Sequence, residues 1–208
     1  MAPNLAALLR LMLVTDEALL AGRDLVATCQ AAVRGGVTSV ELRRKHAPPR
    51  ELLARARELV AALAVPVLVN DRLDVALAAG AAGVHLGPDD LPPRLARRIV
   101  PEGFLIGASV GTADEAGAGQ GADYWGVGPW RFTPTKHDAG AALGAEGFRA
   151  IVAAAGGRPC VAIGGVTPAD VAAVRAAGGI GVAVVSGILA DPDPLRAAGR
   201  YRDAFDAG

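Results

Sequence analysis

Apolar residues fall along this chain in short runs of four or five, separated by stretches where Ala, Leu and Arg recur at helical spacing. The runs read as buried strands: Leu11–Thr15, Thr38–Leu42, Val65–Val69, Gly83–Leu86, Phe104–Ala108, Tyr124–Val127, Cys160–Ile163 and Gly181–Val185. The intervening stretches predict helices over Leu25–Arg34, Pro49–Ala64, Leu73–Ala79, Leu91–Ile99, Ala113–Gln120, Ala145–Ala154, Pro168–Ala176 and Asp193–Asp206. Thr167 before Pro168 and Asp193 before Pro194 are helix-start signals, and Gly35–Gly36, Gly80, Gly121 and Gly178–Gly179 stand where helices should stop. Eight strands, each followed by a helix, predict a single-domain (β/α)8 TIM barrel spanning residues 1–208. A doubly wound open sheet is the rival architecture, but no G-x-G-x-x-G follows the first strand.

A barrel makes a statement about chemistry, because residues just past each strand converge on one face. Those residues are Thr15 and Asp16; Glu41, Arg43 and Lys45; Asn70, Asp71 and Arg72; Gly87 and Asp90; Ser109; Thr133, Thr135 and Lys136; Gly164 and Gly165; Ser186 and Gly187. Cations, carboxylates, hydroxyls and two glycine turns are an inventory for holding two phosphorylated groups with a divalent metal. Asp71 and Asp90 follow adjacent strands and could bind Mg²⁺, which takes one or two protein carboxylates and completes its shell with water and phosphate; alternatively each caps the helix after it. Arg43 and Lys45 share the alternation of Glu41 and suit a diphosphate, although a solvated strand end would also explain them. The glycine turns closing strands seven and eight allow close approach of a phosphate to backbone N–H groups, or merely tight turning.

The stretch Ala122–Gly140, ADYWGVGPWRFTPTKHDAG, is the sharpest local signal: a buried strand that opens through Gly128 and Pro129 into two hydroxyls and an ammonium. Composition sharpens it. Of 21 Lys plus Arg only Lys45 and Lys136 are lysines, so a compact ammonium stands at just two places, Lys45 just after a predicted strand and Lys136 in the loop that follows another. Formal net charge is zero and aromatics are 4%, which excludes a nucleic-acid footprint, a base-stacking platform and a polybasic membrane patch. Cys29 and Cys160 lack metal-ligand spacing and read as free buried thiols in a reducing cytosol. Leu5–Val14 is apolar but broken by Arg10 and too short to span a bilayer, so a soluble cytoplasmic protein is expected. His85 reads as a core residue, and His46 and His137 as surface residues; no covalent nucleophile is suggested.

Taken together, LMLVTD, GGVTSVELRRK, VLVNDRLDVALAAGAAGVHLGPDDLP, GASVGT, ADYWGVGPWRFTPTK, AIGGV and GVAVVSGI resemble the thiamine-phosphate synthase (thiamine-phosphate pyrophosphorylase) family, in order, from Leu11 to about Leu189. The resemblance implies a Mg²⁺-dependent barrel transferase that joins hydroxymethylpyrimidine diphosphate to hydroxyethylthiazole phosphate, forming thiamine phosphate and releasing diphosphate. It implies Arg43, Lys45, Asn70, Ser109 and Lys136 around the pyrimidine diphosphate, Asp71 and Asp90 on the metal, and Thr133, Thr135, Gly165 and the Val185–Ser186 backbone at the thiazole phosphate. It also implies a dissociative reaction, in which diphosphate leaves before the thiazole nitrogen attacks. The partners would be these two small molecules, with no nucleic acid and no membrane, and with a homodimer as the possible assembly.

One position departs from that pattern: Glu41 stands where the family usually has Gln. Because Arg43 and Lys45 are close by, Glu41 is expected to be ionised and to accept from the pyrimidine. Two other functions fit the same barrel, a thiazole tautomerase-like isomerase and a non-catalytic thiamine-phosphate-binding protein. The tautomerase relatives carry a catalytic His after strand five, where Gly111 stands here.

Overall fold

The computed structural model describes residues 4–132 and 141–207. Eight parallel strands close into a barrel in sequence order: β1 (Leu11–Val14), β2 (Ser39–Leu42), β3 (Val67–Asn70), β4 (Gly83–Leu86), β5 (Leu105–Val110), β6 (Tyr124–Val127), β7 (Cys160–Ile163) and β8 (Gly181–Val184). Met12 pairs with Ser39 on one side and with Ala183 on the other, so β8 returns to β1 and no edge is left unpaired. The helices are α1 (Leu5–Leu9), α2 (Leu25–Gly35), α3 (Pro49–Ala62), α4 (Leu73–Ala79), α5 (Pro93–Ala96), α6 (Gly144–Ala154), α7 (Val171–Ala176), α8 (Ser186–Leu189) and α9 (Pro194–Asp206). None of the described helices is long and apolar enough to cross a membrane.

Strand alternation sorts the interior into two cores. Leu11, Leu13, Val40, Leu42, Val67 and Val69 point outward and join the layer packed against the helices. Met12, Val14, Leu68, Leu105, Tyr124, Val161 and Ala183 point inward and fill the barrel itself. Both faces of every strand are thus covered, which is why the strands read as unbroken apolar runs rather than as alternating ones.

Several helices differ from the pattern in the sequence. Residues after Thr112 form only a short 3-10 turn, Ala113–Gly117, and α5 is confined to four residues behind Pro92. Strand β3 begins two residues later than the apolar run, because Pro66 has no N–H to give the ladder; its carbonyl instead accepts from Val40. Helices α1 and α8 are additions that the periodicity did not announce. Asn4 caps α1, and Leu8 and Leu9 plug the amino-terminal end of the barrel. Thr38 and Ser39 hydroxyls donate to the Leu8 carbonyl at 2.8 and 2.9 Å and fasten the plug. Among the described residues that end is filled, and the polar interior described below lies toward the carboxyl ends of the strands.

Helix α9 closes the ring by packing on α2. The approach is so close that a Cβ on Gly35 would overlap the Leu195 carbonyl oxygen, so glycine is required there. Both cysteines are free and buried, and burial pushes Cys29 up to about 12 and Cys160 to about 11, which leaves the thiols inert.

Candidate functional site

Two carboxylates meet at the carboxyl ends of β3 and β4. Asp71 follows Asn70 directly, and its backbone N–H donates to the His85 carbonyl at 2.8 Å. Its φ is +63°, a left-handed conformation that Asp tolerates better than most residues. Helix α4 starts behind Arg72 with no side-chain cap, so Asp71 is not spent on capping. Asp90 does not cap α5 either; its Oδ2 accepts from the Gly87 N–H at 2.6 Å. Burial and a hydrogen bond shared with Asp71 raise the Asp90 carboxyl to about 6. Two carboxyls this close resist double ionisation unless a cation joins them. Oxygen ligands, two in number, fit Mg²⁺ and not a soft transition metal.

Lys45 touches the pair, and Arg43, at the end of β2, pairs with a third carboxylate. Lys45 Nζ lies 3.1 Å from Asp71 Oδ2, and Arg43 Nη1 lies 3.6 Å from Asp16 Oδ2. The Thr15 hydroxyl accepts from the Arg43 N–H at 2.9 Å, fixing the backbone where β2 ends. His46 is exposed on the same loop. Asp90 and Ser109 line a cleft of about 290 Å³ between the ends of β4 and β5.

Below the mouth lies a polar chain inside the barrel. The His85 ring is hydrogen-bonded through Nδ1 to the Tyr124 hydroxyl and through Nε2 to the Ser109 hydroxyl, each at 3.0 Å. Since one ring nitrogen of a neutral imidazole donates and the other accepts, the two hydroxyls must take opposite roles. Glycines make the room: a Cβ on Gly107 would overlap Tyr124 Cζ, and one on Gly126 would lie 2.9 Å from His85 Cε1. Burial, followed by the charges of Glu41 and Asp123, pushes the Tyr124 phenol well above its usual range, so it remains a neutral hydroxyl.

Glu41 lies in this interior, 4% exposed, on the inward face of β2 as the alternation requires. Its pKa shifts in the direction opposite to the one its sequence neighbours suggest. Burial raises its pKa, and although His85, Arg43 and Lys45 pull the other way, Asp71 adds to the rise and burial prevails. Arg43 and Lys45 reach the solvated mouth, with side chains 23% and 43% exposed, so water screens the attraction that proximity in sequence promised.

On the opposite side, β7 and β8 end in the turns at Gly164–Gly165 and Val185–Ser186. Gly164 and Gly165 have φ of +89° and +68°, which only glycine adopts readily. The Ser186 side chain is exposed at the mouth. Thr133, Thr135, Lys136 and His137 lie outside the described residues. The root of their loop is fixed: Trp130 donates to the Ile163 carbonyl at 2.8 Å and Arg131 to that of Gly164 at 2.9 Å, while Leu143 and Gly144 donate back to Pro129 and Trp130.

The structure therefore gathers Glu41, Arg43, Lys45, Asn70, Asp71, Asp90 and Ser109 on one half of the mouth and Gly165, Val185 and Ser186 on the other. Sequence reasoning missed Tyr124 and the part played by His85. A usable signal was present in Gly107 and Gly126, mid-strand glycines that make space for a neighbouring side chain. Such a site can hold two anions face to face, with a metal at one of them and a buried polar slot beneath.

Comparisons with known proteins place the chain in a family. The sequence model of a family described as thiamine monophosphate synthase matches residues 11–188. The chain is 48% identical over 202 residues to a protein of Methanoculleus marisnigri named thiamine-phosphate synthase, covering 95% of both chains. It is 51% identical over 195 residues to a Xanthobacter autotrophicus protein of the same name, covering 91% of this chain and 92% of that one. Among solved structures, the thiamine phosphate pyrophosphorylase from Pyrococcus furiosus superimposes with a TM-score of 0.86 at 35% identity, over 98% of each chain.

Proposed function

The chain belongs to the thiamine monophosphate synthase family and shares its transferase function, and we propose that this barrel mouth joins hydroxymethylpyrimidine diphosphate to hydroxyethylthiazole phosphate. The observation that carries the reading is the Asp71–Asp90 carboxyl pair, uncommitted to helix capping, beside Lys45 and above the His85–Ser109 hydrogen bond. In this reading Asp71 and Asp90 hold Mg²⁺. The metal, when bound, supplies positive charge where the leaving diphosphate gathers negative charge.

The chain's own residues do the rest. Arg43 and Lys45 bind the diphosphate from the β2 side, Arg43 with a forked donor and Lys45 as a point charge. Lys136 joins them from the β6 loop. Asn70 and Ser109 orient the pyrimidine at the top of the slot, and Glu41, whose pKa burial raises, can donate to a ring nitrogen in its protonated form as the family's Gln would. Thr133, Thr135, the Gly165 N–H and the backbone at Val185–Ser186 hold the thiazole phosphate opposite. Facing the two substrates across the mouth brings the thiazole nitrogen to the pyrimidine methylene carbon as the diphosphate oxygen departs. The buried slot excludes water, which would otherwise capture the carbon. No general base is needed, because the thiazole nitrogen has a lone pair and no proton to lose.

A tautomerase-type reaction is disfavoured by the same face of the barrel. Gly111, where a catalytic base would stand, presents only its N–H, which donates to Glu115 Oε2 at 2.7 Å. We place the reaction in the cytoplasm, where buried free thiols such as these persist. The test is direct: incubate both substrates with Mg²⁺ and measure thiamine phosphate and diphosphate in equal amounts. Thiamine phosphate formed equally well in excess chelator would remove Asp71 and Asp90 from the metal role, and no product at all would overturn the reading.

A further inference from the structure

Arg131 stands at the root of the β6–α6 connection and reaches across to the turn after β7. Its guanidinium forms a two-pronged ion pair with Asp170, one nitrogen on each carboxylate oxygen. Asp170 sits in the 3-10 turn Pro168–Asp170 before α7, and its side chain is only 5% exposed. The same carboxylate accepts from the Thr167 N–H at 2.9 Å and from the Thr167 hydroxyl at 2.7 Å. Burial alone would raise its pKa, but these donors hold it down at about 2, so it is a carboxylate throughout the working range.

The contacts form a clamp around one turn. On its near side, the Arg131 N–H donates to the Gly164 carbonyl at 2.9 Å. Over it, Arg131 Cβ and the Phe132 carbonyl lie so close that a Cβ on Gly165 would come within 2.9 and 3.2 Å of them. On its far side, the Arg131 guanidinium and Thr167 are both anchored on Asp170. The segment from Gly164 to Asp170 is thus held at both ends by one residue of a neighbouring strand's loop. Arg131 itself is 59% exposed, and ion pairs with such exposure add little to stability. Geometry at the mouth is what the pair can contribute.

We infer that the Arg131–Asp170 pair is a positioning device for the thiazole phosphate, fixing the Gly164–Gly165 turn against the start of the β6–α6 loop so that both halves of that subsite hold one spacing. The inference rests on the assignment of Gly165 to the thiazole phosphate in the proposed function. Neither residue is assigned contact with substrate; each acts through the turn. This separates the device from a phosphate ligand. If the exposed guanidinium bound phosphate itself, removing Asp170's charge would free it and leave binding equal or stronger. If it positions the turn, either partner's loss has the same effect.

The experiment is steady-state kinetics on the full chain with Mg²⁺, varying each substrate separately, for Arg131→Ala, Arg131→Lys, Asp170→Asn and the double variant Arg131→Ala/Asp170→Asn. The expected result is a rise of roughly 5- to 20-fold in KM for the thiazole phosphate in both Arg131→Ala and Asp170→Asn. KM for the pyrimidine diphosphate and kcat at saturation should stay within about 2-fold of wild type. Arg131→Lys should recover part of the loss, and the double variant should be no worse than the worse single one, as for two members of one device. Circular dichroism on each variant checks that the fold persists. Unchanged KM for the thiazole phosphate in an active protein overturns the inference alone, as does a rise confined to Arg131→Ala, or an equal rise for both substrates. An inactive wild type overturns the functional reading beneath it.

Discussion

Replacing Gly107 by alanine adds one carbon at the centre of the barrel, and the structure allows its consequence to be estimated. That carbon would overlap Tyr124 Cζ and lie 2.5 Å from both the Tyr124 hydroxyl and His85 Nδ1. The neighbours cannot retreat. Tyr124 is 1% exposed, and the His85 ring is bounded on its other side by the Gly126 backbone. Overpacking of this kind costs about 1–3 kcal/mol, and misplacing the ring also weakens two hydrogen bonds worth about 1 kcal/mol each. A total near 3 kcal/mol would lower Tm by about 6–12 °C for a chain of this size. Gly117→Ala is the control: its Cβ would meet nothing within 4 Å, and its effect should stay within about 1 kcal/mol. Thermal melts followed by circular dichroism measure both. In a Tyr124→Leu background the Gly107→Ala penalty should shrink by at least about 1 kcal/mol, because the ring it meets is gone. The surviving protein should show raised KM for the pyrimidine diphosphate, since Ser109 loses its fixed partner. A Gly107→Ala variant melting within about 2 °C of wild type would refute the account of a filled, hydrogen-bonded barrel interior.

Other predictions follow from the charges at the mouth. Asp71→Asn and Asp90→Asn should each lose most activity at every Mg²⁺ concentration while melting normally; in wild type the Mg²⁺ needed for half-maximal rate should climb as pH falls through about 6, where Asp90 takes up a proton. A pH-independent Mg²⁺ requirement would contradict that. Glu41→Gln should remain active, and its stability relative to wild type should increase as pH rises above 4.5, the ordinary Glu value. The sign follows because a carboxyl raised in the folded state is protonated there while the unfolded chain has already ionised, so wild-type stability falls with pH through that window. Asp170 has the opposite sign: held down at about 2, it contributes stability that is present above the unfolded Asp value and lost as pH falls toward 2. Acid unfolding of Asp170→Asn should therefore be less steep there than that of wild type.

The order of strands and helices, the barrel and the location of its chemistry were legible in the chain because each rests on a local period. Alternation within β2 is enough to place Glu41 inward, and a residue following a strand is enough to place Asp71 and Asp90 at the mouth. Family motifs then supplied the reaction. Short elements were less legible: α1 and α8 have five and four residues, too few for a period to register.

What the fold alone decided are the relations between residues far apart in sequence. His85 meets Ser109 across 24 residues and Tyr124 across 39, and Arg131 meets Asp170 across 39. No spacing rule predicts such pairs, because they depend on strand register and on which glycines leave room. Glu41 shows the same limit in energetic form. Its sequence neighbours Arg43 and Lys45 argue for a carboxylate, yet they reach the partly solvated mouth while Glu41 lies in the barrel, and burial raises its pKa. Sequence gives the distance along the chain between charges; only the tertiary structure gives the dielectric between them, and that sets the sign.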